Sequence, residues 1–330
     1  MSFSGWKKHI EEGDIVIIYM TRDSMSPITV KKGDAFNNRF GSYKHDEMIG
    51  KEFGSKMVSA NEKGFVYLLH PTPELWTLVL PHRTQILYVA DISFITAMLE
   101  MKPGTNVIES GTGSGSFSHS IARTIAPTGK LYSFEYHEER ASMAQREFDE
   151  HGYGDIIKMH HRDVCKDGFQ LKDQVNAVFL DLPAPWEAIA SAKEAFKQDR
   201  VGKICCFSPC IEQVARSVTA LDEHGFIEIT MYECLMREHT VVPYSKVSFA
   251  DAVQDAKAKR LDSNHIPVKR RLGKDEPVPT PEEIQDSINL MLVSRTPGET
   301  RGHTSYLTFA TFLPPSASNA ISTEPVTDSN

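Results

Sequence analysis

The chain has 330 residues, 40% of them hydrophobic and 24% charged, with a net charge of −8 at pH 7. That length holds one large domain and a smaller one, and the composition excludes disordered and fibrous classes. No apolar run approaches the roughly 18 residues of a membrane span, the opening residues carry neither a signal nor an organelle presequence pattern, and the acidic balance works against a polyanionic partner unless basic residues are concentrated locally or supplied by another chain.

Residues 1–75 are predicted to be a β-rich, barrel-like domain. Ile15–Tyr19, Ile28–Val30, Ser55–Val58 and Phe65–Leu69 are short β-branched or alternating runs, punctuated by Gly13, Gly33, Gly41, Gly50 and Gly64. Residues 76–312 form the second predicted domain. Thr84–Glu100 has a helical apolar stripe that Lys102-Pro103-Gly104 stops. From residue 105 onward strands and helices alternate. Strands are predicted at 105–110, 130–135, 156–160, 175–181, 201–207 and 225–232, and helices at 116–125, 137–151, 185–196 and 211–224. This is the pattern of an α/β, doubly wound, mainly parallel sheet of Rossmann-like type. Residues 245–300 interrupt it as a mobile insertion. Lys257, Lys259, Arg260, Lys269, Arg270, Arg271 and Lys274 fit a solvated loop as well as a phosphate-contacting or nuclear-targeting role. His303–Phe312 alternates as a final strand, and 313–330 reads as a disordered tail.

Cys165, Cys205, Cys206, Cys210 and Cys234 contain no C-x-x-C pair, so reduced thiols in an intracellular compartment are expected. Cys205, Cys206 and Cys210 are close enough to suggest a metal. The apolar run around the first two favours plain packing instead, and no metal is expected.

The strand Val107-Ile108-Glu109-Ser110 runs into Gly111-Thr112-Gly113-Ser114-Gly115. Three glycines let the backbone approach a ligand, and the amides of the next helix point into the site. A nicotinamide-binding turn places its third glycine one position later. The acid Glu109 suits a cationic sulfonium, as in S-adenosylmethionine, better than a pyrophosphate. Glu135 ends the next strand, where a carboxylate accepts ribose hydroxyls in either cofactor class. Asp163 ends the third and could hold an adenine amino group. Asp181 ends a further strand and leads into Leu182-Pro183-Ala184-Pro185-Trp186, a rigid turn with a flat ring suited to a planar heterocycle. Asp181 could instead only cap the helix starting near Trp186. Tyr88, Trp186 and His82 are candidates for stacking or positioning, with core packing the competing explanation for each.

On these stretches, together with Leu69–Leu78, Leu80–Tyr88, Phe207–Gln213 and Gly302–Ala310, the chain resembles the catalytic subunits of tRNA (adenine-58-N1)-methyltransferase. The resemblance covers residues 1–243 and resumes at Gly302; residues 245–300 cannot be matched. It implies a class I methyltransferase fold and methyl transfer from S-adenosylmethionine to N1 of adenine 58 in the T-loop of tRNA, and leaves similar mRNA sites open. It implies a donor pocket of Leu87, Glu109, Gly111, Gly113, Ser114, Gly115, Ser116, Glu135, Arg140, Asp163, Val164 and Asp181, with Asp181 also catalytic. It places Gln85, Ile86, Leu87, Tyr88, Ser110, Thr112, Phe117, Leu180, Leu182, Pro183, Cys205, Ser208, Pro209, Cys210, Ile211 and Glu212 toward tRNA. Met20, Thr21 and Arg22, with Ala35–Ser42 and Gly64-Phe65, would add contacts from the N-terminal domain. It further implies a nuclear heterotetramer with a related non-catalytic subunit that has lost the glycine-rich turn, and no membrane partner. Three other readings stay open: a class I methyltransferase acting on protein, a non-catalytic RNA-binding subunit, and a dinucleotide oxidoreductase. The turn at Asp181 and the full set of strand-end acids argue against them.

Overall fold

The computed structural model describes residues 3, 5–236, 239–245, 290–295 and 305–315. Six strands come first: β1 (Ile15–Thr21), β2 (Ser24–Thr29), β3 (Ala35–Asn38), β4 (Gly41–Lys44), β5 (Lys56–Val58) and β6 (Phe65–Leu69). They form an open four-stranded antiparallel sheet in the order β2-β1-β6-β5 and a separate β3–β4 hairpin, rather than a closed barrel. Pro27 lies within β2, where the missing amide suits an edge.

β1 is buried on both faces, which its unbroken apolar run Ile15-Val16-Ile17-Ile18 anticipates. Val16 and Ile18 pack with Tyr43, Met48, Val66 and Leu68 in the core of the small sheet. Ile17 points the other way, into the cluster that holds Trp76, Phe117, Phe179 and Leu307. Backbone contacts accordingly keep residues 1–75 in one compact unit with the following α/β layers: Met1–Cys234 joins His303–Asn330, and Leu235–Gly302 forms a second unit.

Two helices follow, α1 (Pro73–Val79) and α2 (Val89–Met98). α1 was not expected, although its start is legible: the Thr72 hydroxyl accepts the Leu75 amide and Pro73 opens the first turn. α2 begins later than the Thr84 that periodicity predicts. The amides of Arg83 and Thr84 are taken by the Ser114 hydroxyl, and Ser116 donates to the Leu87 carbonyl, so side chains hold residues 83–87 out of the helix.

The remaining elements are β7 (Asn106–Ser110), α3 (Ser116–Ile125), β8 (Lys130–Glu135), α4 (Glu138–Glu150), β9 (Ile157–His161), α5 (Val164–Asp167), β10 (Ala177–Leu180), α6 (Pro185–Ala195), β11 (Gly202–Ser208), α7 (Ile211–Glu223), β12 (Ile227–Tyr232), β13 (Thr240–Ser245), β14 (Leu290–Arg295) and β15 (Tyr306–Phe312). A seven-stranded sheet runs β12-β15-β11-β10-β7-β8-β9. β9, β8, β7, β10 and β11 are mutually parallel, and β15 pairs antiparallel with both β11 and β12. Alternate residues feed opposite cores: Val107, Phe179 and Cys205 on one face, and Ile108, Val178, Leu180 and Cys206 on the other. β13 and β14 pair antiparallel within the second unit. Of the expected insertion 245–300, Ser245 and residues 290–295 are described, as the end of β13 and as β14; its basic segment 257–274 and most of the expected tail lie outside the described residues. No described helix is long and apolar enough to cross a membrane.

Because Ile17 sits fully buried in the larger cluster, Ile17→Ala should destabilise the unit by about 2–5 kcal/mol. Urea unfolding should show that loss in one transition of the whole unit; an effect under about 1 kcal/mol would mean that β1 does not join the two cores.

Candidate active site

The carboxyl ends of β7, β8, β9 and β10 open onto a cavity of about 620 Å³, within the roughly 300–1,000 Å³ of small-molecule sites. Open α/β sheets bind ligands at this edge. Glu109, Glu135, Asp163 and Asp181 all line it, together with Leu87, Gly111, Gly113, Ser114, Ser116, Arg140 and Val164. Of the predicted donor residues only Gly115 stands behind the wall, where it caps α3 with φ +77°.

The turn after β7 needs its first glycine for a specific reason. Gly111 has φ +94°, and a Cβ there would lie 2.1 Å from the carbonyl oxygen of Asp181. The Asp181 amide in turn donates to the Ser110 carbonyl at 2.8 Å. The two loops singled out by sequence are thus in backbone contact. Gly113 has φ +55°, with the hydroxyl of Thr84 2.6 Å from where its Cβ would be.

Glu109 is buried, and its carboxylate accepts from the Ser118 hydroxyl at 2.6 Å and the Ser133 hydroxyl at 2.7 Å. Burial pushes its carboxyl up to about 7 against those two bonds, and the negative charges of Asp181 and Glu135 add to the rise. Asp181 is also pushed up to about 7, by burial first and by Glu135 second. Glu135 accepts from the Arg140 guanidinium at 2.7 Å, the His137 amide at 3.0 Å and the Gly113 amide at 3.1 Å. Asp163 forms an ion pair with Lys166 at 3.3 Å. The cationic side chains of the wall are already engaged, Arg140 on Glu135 and Arg162 on the Phe169 carbonyl. Acids outnumber arginines in this lining, so the cavity favours a positive charge over a pyrophosphate. A sulfonium donor carrying an adenosine and an amino acid fits this lining in size and charge.

Several predicted residues sit differently from expectation. The Ser114 and Ser116 side chains border the cavity, but their hydroxyls hold residues 83–87 and Thr77. Cys205 and Leu180 were expected to face tRNA; both are fully buried, because consecutive inward positions of β11 and β10 fill the two cores. Ser208 is likewise buried. Phe117 is buried against Phe179 and meets only the cavity floor. Cys205 and Cys206 enter opposite cores while Cys210 is exposed, so these thiols cannot converge on one ion. Gln85, Ile86, Ser110, Thr112, Leu182 and Pro183 do line the cavity, whereas Tyr88 and Pro209, Cys210, Ile211 and Glu212 do not. Met20, Thr21 and Arg22 lie at the end of β1 and in the turn after it. Trp186 packs toward the core beneath Arg216, whose guanidinium carbon lies 5.1 Å from the ring centroid, and it does not reach the cavity. His82 is exposed and does not line the cavity either.

Sequence reading missed Thr84, Tyr136, His137, Arg162, Cys165 and Glu187 in the wall. Tyr136-His137 and Arg162 directly flank strand-end acids, and that adjacency was the available signal. Glu187 carried none, and Phe207, also in the wall, lies in the Phe207–Gln213 stretch on which the resemblance rests.

A seven-stranded sheet with its last strand inserted antiparallel, a glycine turn and an acid-lined cavity at the carboxyl edge define a class I, S-adenosylmethionine-dependent methyltransferase. The chain belongs to the family of the tRNA methyltransferase complex GCD14 subunit, whose model matches residues 64–312. It is 43% identical over 335 residues to the tRNA (adenine(58)-N(1))-methyltransferase catalytic subunit TRM61 of Candida albicans, covering 95% of this chain and 99% of that one. It is 43% identical to the corresponding subunit of Dictyostelium discoideum, over 93% of this chain and 98% of that one. Among solved structures it resembles an S-adenosylmethionine-dependent O-methyltransferase of Thermotoga maritima, with TM-score 0.70, 26% identity and coverage of 93% and 95%. The tRNA (m1A58) methyltransferase TrmI of Aquifex aeolicus, at TM-score 0.63 and 20% identity over 92% and 98% of the two chains, shares the fold.

Gly111→Ala should abolish donor binding in calorimetry and lower the unfolding midpoint, since the left-handed backbone alone costs about 1–2 kcal/mol; normal binding would show that the two loops separate freely. The raised acids also set a pH dependence. Without ligand, folding favours the protonated forms of Glu109 and Asp181, so the stability present below their ordinary values near 4 is lost as pH rises toward about 7. A cationic donor favours the ionised forms. Its affinity should therefore rise between about pH 6 and pH 8 with proton release, seen as a buffer-dependent heat of binding; a pH-independent affinity would contradict this.

Proposed function

We propose that this chain is the methyl-transferring subunit of a tRNA methyltransferase and modifies N1 of adenine 58 in the T-loop, using S-adenosylmethionine. Its 43% identity with catalytic subunits of that name supports the assignment. The observation that carries the chemistry is the backbone contact between Asp181 and Gly111, which brings this acid beside the glycine turn, where it would face the target base.

When bound, S-adenosylmethionine supplies an electrophilic methyl group on a cationic sulfur. Everything else falls to the protein. Glu135, steadied by Arg140 and the Gly113 amide, is placed to accept the ribose hydroxyls, and Asp163 the adenine amino group. Leu87 and Val164 would pack against the donor's flat ring. Adenine N1 is itself nucleophilic, so no strong base is needed. The Asp181 carboxylate would accept from the exocyclic amino group of the target and offset the positive charge that grows on the ring. The alignment of N1 then comes from Leu182 and Pro183, which form the adjacent wall. A base in a folded loop must be extruded to get there.

Gln85 and Ile86 in the cavity wall, Tyr88 at the start of α2, and Pro209, Cys210, Ile211 and Glu212 beyond β11 are proposed tRNA contacts. Met20, Thr21 and Arg22 would extend the RNA surface along the N-terminal sheet. The net charge of −8 supports a second, RNA-binding subunit, here proposed as a related non-catalytic chain in a heterotetramer. A nuclear location is proposed on the family resemblance and on Lys269-Arg270-Arg271.

The test is radiolabelled methyl transfer to unmodified tRNA transcripts, with and without the partner subunit. Label should vanish when the target adenine is replaced and should require the partner. Transfer to the altered tRNA would mean that the acceptor is misassigned. Asp181→Ala should keep the fold and much of the donor affinity but lose orders of magnitude in turnover; a near-normal rate would remove Asp181 from the chemistry.

A further inference from the structure

Behind the glycine turn lie two buried histidines for which the transfer chemistry has no use. His119, in the first turns of α3, directs Nδ1 at the Gly115 carbonyl oxygen at 2.6 Å. Its Nε2 meets Nδ1 of His151, the residue that ends α4, at 2.7 Å. Phe3 stacks on the His151 ring with centroids 4.4 Å apart, and its amide donates to the His151 carbonyl at 2.9 Å. Trp76 meets the same ring edge-on at 4.8 Å, and Phe148 and Tyr153 close around His119.

The hydrogen-bond chemistry permits one arrangement of protons. A carbonyl oxygen only accepts, so His119 Nδ1 carries the hydrogen. In a neutral ring Nε2 is then bare and must accept. The donor to it is His151 Nδ1–H, which leaves His151 Nε2 bare. Each histidine thus fixes the tautomer of the next, and the chain ends on the carbonyl of the third glycine of the donor turn. Burial keeps both rings neutral: His119 is pushed down to about 4, with Arg83 adding to the fall, and His151 down to about 3, with His119 adding to it. The charged and titratable groups around the pair are Arg83 from the segment before α2, Glu147 from α4, Tyr153, and the Glu74–Arg123 ion pair of α1 and α3.

His119, His151 and Glu147 bring ligand-type atoms within 4.8 Å of one another. A metal ion is nevertheless poorly served. Glu147 already accepts from Trp76 Nε1 at 3.2 Å and from Arg83 Nη1 at 2.8 Å, and the two rings bond each other. An arginine beside the trio opposes a further cation.

We propose that His119 and His151 are positioning residues for methyl-donor binding: His151, enclosed by Phe3, holds the His119 tautomer that anchors the Gly115 carbonyl and so sets the donor turn. The proposal rests on the reading of the cavity as the donor site. It assigns a task to Phe3, which lies far from the cavity in sequence yet closes the far end of the relay.

The experiment compares the full 330-residue chain with its His151→Leu, His151→Asn and His119→Phe variants by calorimetric binding of S-adenosylhomocysteine. Histidine-labelled protein at pH 7 gives the nitrogen NMR signature of the tautomers. Asn can replace the Nδ1–H donor of His151; Leu cannot. His151→Leu and His119→Phe should weaken binding about three- to tenfold, the scale of one neutral hydrogen bond. His151→Asn should recover most of the affinity, and the donor KM should change more than kcat. The wild-type spectrum should show His119 neutral and protonated on Nδ1. Equal affinity of all variants, no rescue by Asn, or a charged or Nε2-protonated His119 would overturn the proposal. If His151→Leu does not fold, the wild-type spectrum and the Asn variant still decide. A wild-type protein that binds no S-adenosylhomocysteine would instead refute the donor reading itself.

Discussion

The close approach of Gly111 to the Asp181 carbonyl is the constraint on which the site depends. Two parallel neighbours, β7 and β10, end at the same level, and their following loops must cross within van der Waals distance. That contact brings the glycine turn and Asp181 to one point without any side chain mediating it. It also explains why the position admits only glycine: both the left-handed φ and the missing Cβ are required at once. Around this point the acids repel one another. Burial raises Glu109 and Asp181 and this repulsion adds to the rise, so an entering cation would offset both costs.

The second layer of organisation is side-chain support of backbone. Ser114 and Ser116 lie in and just after the donor turn, yet their hydroxyls bind residues 83–87 and Thr77. Arg83 extends the tie to Glu147 on α4 and to the Ser114 carbonyl. One wall of the cavity is thereby welded to its floor. The glycine turn and the segment 83–87 thus share one hydrogen-bonded frame, of the kind that precise positioning of reactants demands.

Much of this frame was legible in the sequence. The β-α alternation gave the layers, and the four acids were recognisable because each falls at or just past the end of a predicted strand. What stayed hidden came from tertiary context. Residues 84–88 have a helical apolar pattern, but their backbone groups are captured by serines some thirty positions away, and no local rule reports that. The β3–β4 hairpin was missed because Ala35-Phe36-Asn37-Asn38 has little β-branching. Cys205 and Leu180 were misplaced toward tRNA because a motif match gives proximity in the chain and not the side of the strand. Strand parity decides that, and both residues point into the core.

The insertion of β15 between β11 and β12 has a consequence for how the chain is made. β11 and β12 are adjacent in sequence among the sheet strands, yet neither pairs with the other in the finished sheet. Until residues 306–312 emerge from the ribosome, β11 presents an open edge, and one flank of the sheet that carries the site has no neighbour. Closing it requires a contact that spans about a hundred residues of chain, a slow entropic search during which the exposed edge is open to wrong partners. Completion of the sheet thus waits on the synthesis of β15, long after β11 and its site-bearing neighbours have been made.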